Sequence, residues 1–162
     1  MFLDDGLSSK GVTILFVVMI VIGAVMMYAM VNLLQSANPS PYDHSHEYDV
    51  VGTLDGESCT GAGSSKYAPE NANCHLYRFD MEVSTAGGAS EKLNFGMLFD
   101  KDGTVNESMY TFLRSETYEG QELDVWKYVE SGSTYTFHVG EYCHVMRVDV
   151  ESEDCVLTAT VR

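Results

Sequence analysis

Residues 12–34 read VTILFVVMIVIGAVMMYAMVNLL, a run of 23 residues without a charged side chain. At about 1.5 Å of rise per residue, an α-helix of this length covers ~35 Å, which is enough to cross a hydrocarbon core ~30 Å thick. A helix satisfies its own backbone hydrogen bonds, as the interior of a bilayer requires. The run therefore predicts one transmembrane helix, with the lipid bilayer as its partner.

The end of the apolar run separates a retained anchor from a cleaved signal peptide. A signal peptide has an apolar segment of ~7–15 residues, followed by small residues at the cleavage site. The present run is longer, and a cut after Ala37 would leave Gln35 at the third position upstream, where a small residue is expected. We therefore expect an uncleaved signal anchor.

Two features predict the orientation of the anchor. Lys10 is the basic residue nearest to the apolar run, and it lies on the N-terminal side. The positive-inside rule then places residues 1–11 in the cytoplasm. The cysteines all follow the run, and paired thiols belong on the oxidising side of a membrane. We expect a single-pass protein of the cell membrane with an extracytoplasmic C-terminal part.

The residues around the start of the helix bear on processing. The segment Lys10-Gly11-Val12-Thr13-Ile14-Leu15 resembles the processing site of type IV prepilins, in which Lys-Gly or Arg-Gly precedes the hydrophobic helix. The resemblance implies cleavage after Gly11 and assembly through the hydrophobic helix. The bacterial pattern has Glu at the fifth mature position, where this chain has Phe16, and Pro39 soon stops the helix. A pilin-like subunit is therefore the alternative interpretation.

The rest of the chain shows the pattern of β-strands. After a polar linker at residues 35–49, residues 74–83 and 92–99 alternate apolar and polar side chains with a period of two. Such alternation is typical of half-buried antiparallel strands. The other predicted strands are 47–54, 122–130, 133–139, 143–150 and 155–161, whereas 109–117 fits a short helix or a strand.

The connections between the predicted strands determine the expected fold. The later strands are separated by two to four residues, too few for parallel crossovers. The fold class is thus one N-terminal transmembrane α-helix followed by an all-β antiparallel meander, a sandwich or an open half-barrel. We expect residues 50–162 to form this domain with six to eight strands.

Composition excludes two classes of protein. The hydrophobic content of 45% is enough to build a core, so the chain is not wholly disordered. The chain has 24 acidic and 9 basic residues, and the net charge of −15 repels phosphate, which excludes nucleic acid as a partner. An acidic, solvated outer face suits a surface domain, and we expect a protein partner at the cell surface.

Four cysteines, Cys59, Cys74, Cys143 and Cys155, follow the apolar run. An even number in an exported domain predicts two disulfides, with three connectivities open. Sequential pairing would tie down a loop-like stretch between Cys59 and Cys74. A Cys143–Cys155 bridge conflicts with the strand pattern, because it would span ~23 Å where ~7 Å is the limit. Sequential pairing, crosswise pairing and free thiols therefore all remain open.

One histidine-rich segment has the chemistry of metal ligands. In Asp43-His44-Ser45-His46-Glu47, an extended backbone would point His44 and His46 to the same side, as in a Zn or Cu site. The sequence supplies no third ligand, and a solvated linker explains the segment equally well. His44 and His46 are the only candidate metal ligands, and no metal or other cofactor is predicted. We expect the other three histidines to be packed or at the surface.

Three further motifs are weaker. Asp100–Glu107 resembles a calcium loop, but its glycine is fourth rather than sixth, so a hairpin turn at Asp102-Gly103 fits better. Gly56–Gly61 opens like a phosphate loop, with Ala62 where the lysine would stand. Asn106-Glu107-Ser108 is an N-glycosylation triplet on a predicted surface turn.

The sequence predicts no catalytic residues. Neither a Gly-x-Ser-x-Gly elbow nor a His-Glu-x-x-His zinc motif occurs, so we expect a protein that is not an enzyme. The expected function is that of a membrane-anchored surface protein whose exported β-domain acts in binding or envelope structure. Besides the pilin-like subunit, the alternative is a membrane-tethered domain that either depends on a metal at the histidine segment or carries a ligand, since the meander is similar to curved-sheet lipoprotein carriers.

Overall fold

The computed structural model describes residues 9–37 and 45–162, and the chain divides into the compact units Met1–Ser40 and Pro41–Arg162. The first unit contains the helix α1, Ser9–Ala37. Its segment Val12–Leu33 has a mean hydropathy of 2.8, and its side chains are exposed. By length and composition, α1 can cross a membrane or serve as a signal sequence.

The second unit is one nine-stranded antiparallel sheet. Its strands are β1 His46–Leu54, β2 Glu57–Asn71, β3 Cys74–Thr85, β4 Ser90–Asp100, β5 Thr111–Tyr118, β6 Gln121–Glu130, β7 Ser133–Val139, β8 Val145–Glu151 and β9 Cys155–Val161. In space the order is β4-β3-β2-β1-β9-β8-β7-β6-β5. Two meanders are thus joined by pairing of the first and last strands, and the predicted helix followed by an all-β meander is confirmed.

Most strands lie where the alternation predicts them. Strands β7 and β9 begin and end at the predicted residues, and the ambiguous segment 109–117 is largely β5. β1 begins at His46, within the stretch assigned to the linker. The main difference is β2, a strand of 15 residues in the stretch interpreted as a loop. The sheet therefore has nine strands instead of six to eight.

Two-residue turns with glycine in second place close several hairpins. In Asp55-Gly56 the φ angles are 51° and 78°, in Glu119-Gly120 50° and 81°, and in Ser131-Gly132 51° and 83°. Positive φ at both positions is the type I′ turn, whose twist matches the twist of the flanking strands. Glycine takes the second position because a side chain there would be strained.

The connection between β4 and β5 requires the sheet to curl. These strands are the two edges, and in a flat sheet eight spacings of ~4.8 Å would separate them by ~38 Å. Residues 101–110, the seam loop, could span about 35 Å only if fully extended, and they contain tight turns instead. The edges therefore approach each other across a seam, where the backbone N–H of Leu98 donates to the hydroxyl of Tyr110 at 2.9 Å.

Aromatic rings fill the inner face of the curled sheet. The ring centroid of Phe95 lies 5.0 Å from that of Phe79 and 4.8 Å from that of Tyr135, so β3 and β4 pack against β7. Tyr48 is fully buried and donates from its hydroxyl to the carbonyl of Val145 at 2.7 Å. Burial raises the pKa of Tyr48 to about 12. The interior is a packed core that joins both meanders.

The predicted disulfides are wrong, because all four cysteines are free thiols. Cys59 lies opposite Thr85, whereas Cys74 lies opposite Asn71. The two cysteines are therefore separated by most of the length of β2, which at ~3.3 Å per residue is ~40 Å. The stretch between them is a strand instead of a loop that a bridge could close.

Pairing of Cys155 with either Cys143 or Cys59 fails for the same reason of register. Cys155 lies opposite Leu54 at the start of β9. Cys143 precedes β8, and the first residues of β8 lie beside the other end of β9. Cys59 lies opposite Gly52, so the whole of β1 separates Cys59 from Cys155. The Cα atoms of these two cysteines are therefore separated by two strand spacings of ~4.8 Å each, which is more than the ~7 Å that a disulfide permits.

Candidate functional site

The most organised polar cluster is a row of charged side chains on the outer face of β5–β8, which we call the charge ladder. It consists of Arg114, Glu116, His138, Asp149 and Arg147. The side chain of Glu116 reaches across β6 to His138 on β7, because β6 lies between β5 and β7.

His138 is the centre of the charge ladder. Its Nδ1 lies 2.6 Å from Oε1 of Glu116, and its Nε2 lies 2.9 Å from Oδ2 of Asp149, with only 3% of the side chain exposed. Ionised carboxylates only accept hydrogen bonds, so a ring N–H of His138 is the donor to them. An arginine pairs with each carboxylate, Arg114 at 3.0 Å and Arg147 at 2.9 Å.

These contacts shift the pKa values of both carboxylates. The hydrogen bond from His138 is the main cause that lowers the pKa of Glu116. Burial raises the pKa of Asp149, but hydrogen bonds from His138, Thr158 and Arg147 outweigh burial and lower this pKa to about 2. Both groups are therefore ionised at neutral pH. Since the ring nitrogens are occupied, the ladder suits cross-linking of strands better than proton transfer.

The ladder also covers apolar side chains that face outward. Leu123 and Val125 project from β6 away from the ring-filled core, yet they are 1% and 0% exposed. Val125 lies directly opposite His138. We expected His138 to be packed or at the surface, and its burial fits the packed alternative. The sequence does not reveal that Glu116 contacts His138, because β6 lies between the strands of these two residues.

The segment His44–His46 is only partly described. His46 begins β1, and its ring centroid lies 5.0 Å from that of His144, which precedes β8. His44 lies outside the described residues. Within residues 9–37 and 45–162, no group of three or more His, Cys, Asp and Glu side chains is arranged to hold a metal ion. His44 and His46 therefore remain candidate metal ligands that the described residues do not test.

The buried thiols are enclosed by the β-domain. Burial raises the pKa of Cys143 to about 12, and its Sγ donates to the carbonyl of Gly103 at 3.4 Å. Burial likewise raises the pKa of Cys155. A thiol with a raised pKa is a poor nucleophile at neutral pH, so these cysteines act as small core residues.

Hydrogen bonds within the seam loop occupy the oxygens proposed for calcium. Oδ1 of Asp102 accepts from the backbone N–H of Thr104 at 3.0 Å and from its hydroxyl at 2.7 Å, which lowers the pKa of Asp102. Oδ1 of Asp100 accepts from Asn106 at 3.3 Å. Asp102-Gly103 forms a tight turn closed by one bridge between Phe99 and Val105, but β4 and β5 do not pair as a hairpin.

A surface groove of about 520 Å³ lies beside the seam loop, and we call it the seam groove. Its lining residues are Glu107, Tyr110, Thr111, Phe112, Asp124 and Trp126. Phe112 is 49% exposed, and its ring centroid lies 5.3 Å from that of Trp126. One half-exposed ring beside carboxylates forms a surface suited to binding.

Neither protein-family models nor curated proteins give a match to the chain. The anchor-like helix, the charge ladder and the seam groove are therefore the features from which a function is inferred.

Proposed function

We propose that the protein is a single-pass protein of the cell membrane, with a cytoplasmic N-terminus and an extracytoplasmic β-domain that acts in binding or envelope structure. The observation that carries this proposal is the segment Val12–Leu33, which is apolar along 22 residues and exposed. It holds 12 Leu, Ile, Val and Phe residues, and at ~0.3–0.6 kcal/mol each they favour insertion by about 4–7 kcal/mol.

The β-domain supports a role at a surface. Its interior is packed with rings, so the curved sheet does not support the ligand-carrier alternative. The seam groove, in contrast, exposes an aromatic ring to a partner. Beyond residue 37 the chain has 22 acidic and 8 basic residues, which keep such a domain solvated and discourage pairing of its edge strands.

Membrane fractionation tests the anchor. We expect the full-length protein in the membrane fraction, released by detergent and retained in high salt. Val21→Arg places a charge near the helix centre, where it costs ~2.5–3.5 kcal/mol, and should reduce the membrane-bound fraction. Val51→Arg is the matched control, because Val51 is 54% exposed on β1 and an added charge there should leave fractionation unchanged. A wild-type chain found in the soluble fraction contradicts the proposal.

Labelling of lysines tests the orientation. Lys92 on β4 has 71% of its side chain exposed, so a membrane-impermeant amine reagent should modify it on intact cells. Lys10 should react only after the cells are broken. Peptide mass spectrometry distinguishes the two positions. Labelling of Lys10 but not of Lys92 on intact cells would show that the orientation is the opposite of the proposed one.

A pilin-like subunit is the second candidate. It is supported by the two-part plan of an N-terminal helix and a β-domain, and by a helix with exposed apolar side chains along its whole described length. Such a helix suits packing among copies as well as contact with lipid. Intact-mass analysis separates the candidates: a mature N-terminus at Val12 supports the pilin-like subunit, and retention of residues 1–11 excludes it.

A further inference from the structure

The seam loop carries the one Asn-x-Ser/Thr triplet of the chain that proline does not block, Asn106-Glu107-Ser108. Asn106 is half-buried, whereas Glu107 and Ser108 are exposed. The triplet lies in a turn outside the strands, between the sheet edges. A sugar attached here would disturb no strand pairing.

Hydrogen bonds hold the carboxamide of Asn106 in one orientation. Its Oδ1 accepts from the backbone N–H of Ser108 at 2.9 Å and from the Ser108 hydroxyl. Its backbone carbonyl accepts from the N–H groups of Met109 and Tyr110 at 3.0 and 3.1 Å. The third residue of the triplet thus contacts the acceptor side chain directly, and Nδ2 is left on the opposite side of the carboxamide.

The nitrogen of Asn106 retains a hydrogen for substitution. Nδ2 donates one hydrogen bond to Oδ1 of Asp100 at 3.3 Å, and a primary carboxamide has two N–H groups. Replacing one hydrogen by a sugar leaves the other N–H. The folded loop can therefore keep its contact with Asp100 after modification.

We propose that Asn106 is an N-glycosylation site and that the attached glycan lies along the seam groove. In the transfer, Nδ2 attacks C1 of a sugar linked to a polyprenyl phosphate or diphosphate. The N–C1 bond forms, the C1–O bond to phosphate breaks, the nitrogen gives one proton to a base of the transferase, and the polyprenyl phosphate or diphosphate leaves. This inference rests on the proposed function, because it requires the β-domain to be extracytoplasmic.

The position of the acceptor identifies the occupant of the groove. Glu107 follows the acceptor directly and lines the seam groove, so a sugar on Asn106 starts at the rim of the groove. The exposed ring of Phe112 offers an apolar surface for the C–H face of a sugar. The carboxylates of Glu107 and Asp124 can accept hydrogen bonds from its hydroxyls.

The first experiment is mass spectrometry of the full-length protein purified from the membranes of its own cells. Trypsin cuts after Lys101 and Arg114, so residues 102–114 form one peptide whose only asparagine is Asn106. We expect this peptide to carry a glycan. Asn106→Gln and Ser108→Ala should abolish the modification, whereas Ser108→Thr should retain it. Both Ser108 variants keep the acceptor Asn106, so comparing them distinguishes loss of recognition by the transferase from misfolding.

The second readout is the fluorescence of Trp126, the only tryptophan. The indole lines the groove with 9% of the residue exposed, so a glycan there should remove its remaining contact with water, and the unglycosylated Ser108→Ala protein should fluoresce at slightly longer wavelength than Ser108→Thr. A glycosylated peptide with identical spectra would overturn the groove assignment.

An unmodified peptide 102–114 from cells in which Lys92 is labelled from outside overturns the site and leaves the proposed function intact. When Lys92 is not accessible on intact cells, the proposed orientation fails and the glycosylation site fails with it.

Discussion

Replacing His138 by leucine should destabilise the β-domain by about 3 kcal/mol. The change removes two charge-assisted hydrogen bonds, to Glu116 at 2.6 Å and to Asp149 at 2.9 Å. Such bonds contribute ~1.5–3 kcal/mol each, and the lower value applies because each carboxylate keeps an arginine and is 28–29% exposed. At about 4 °C per kcal/mol for a domain of this size, the midpoint of thermal unfolding should fall by about 12 °C.

The same variant should alter the dependence of stability on pH. The pKa of Asp149 is about 2 in the folded protein against an ordinary value of 3.8, a difference that corresponds to about 2 kcal/mol. A pKa lowered by folding stabilises the protein above pH ~4, and this contribution is lost as pH falls from ~4 towards ~2. The lowered pKa of Glu116 acts in the same direction. His138→Leu should show a shallower loss over that window.

Urea unfolding of the full-length protein in detergent, followed by Trp126 fluorescence, measures both effects. Lys92→Gln is the matched control, since the Lys92–Glu82 pair is 71% and 62% exposed and should contribute less than about 1 kcal/mol. A His138→Leu protein within 1 kcal/mol of wild type, with an unchanged acid profile, would refute the assignment of the ladder as a cross-link between strands.

Four further outcomes are expected from the structure. Phe137→Ala should cost ~3–5 kcal/mol in urea unfolding, because the ring is fully buried among other rings. Gly52→Ala should cost ~3 kcal/mol or prevent folding, because its Cβ would meet the carbonyl oxygen of Val156. Gly23→Ala should change the helical signal little, since its Cβ meets nothing within 4 Å. A reductant should leave the unfolding midpoint unchanged, because the four cysteines are free. Alkylation in urea should modify all four thiols, whereas a disulfide would protect the two cysteines that form it.

The alternation of side chains predicts strands only where the buried residues are large. In β3 the inward positions hold Tyr77, Phe79, Met81 and Val83, and the strand is evident from the sequence. In β2 several positions are small, because neighbouring backbones approach closely there: a Cβ on Gly61 would lie 1.9 Å from the carbonyl oxygen of Glu82. The hydrophobic pattern therefore does not reveal β2, although Asp55-Gly56 before it is a type I′ turn signal.

The sites depend on contacts that sequence spacing does not encode. Register places Cys59 and Cys74 at distant points of β2, so their separation of 15 positions gives no information about distance in space. Glu116 and His138 meet because the β5–β6 and β6–β7 turns lay three strands side by side. The glycosylation triplet is visible in the sequence, whereas its position beside the seam groove is not.

The sequence by itself determined the apolar helix, most of the strands and the antiparallel connections, because helix and strand periodicities and short turns are local properties of the chain. Tertiary structure alone decided that β1 pairs with β9, that the sheet curls until its edges meet at a seam, and that the cysteines stay apart. The physical reason is that these features depend on register and on burial of one common aromatic core, to which residues far apart in the chain contribute.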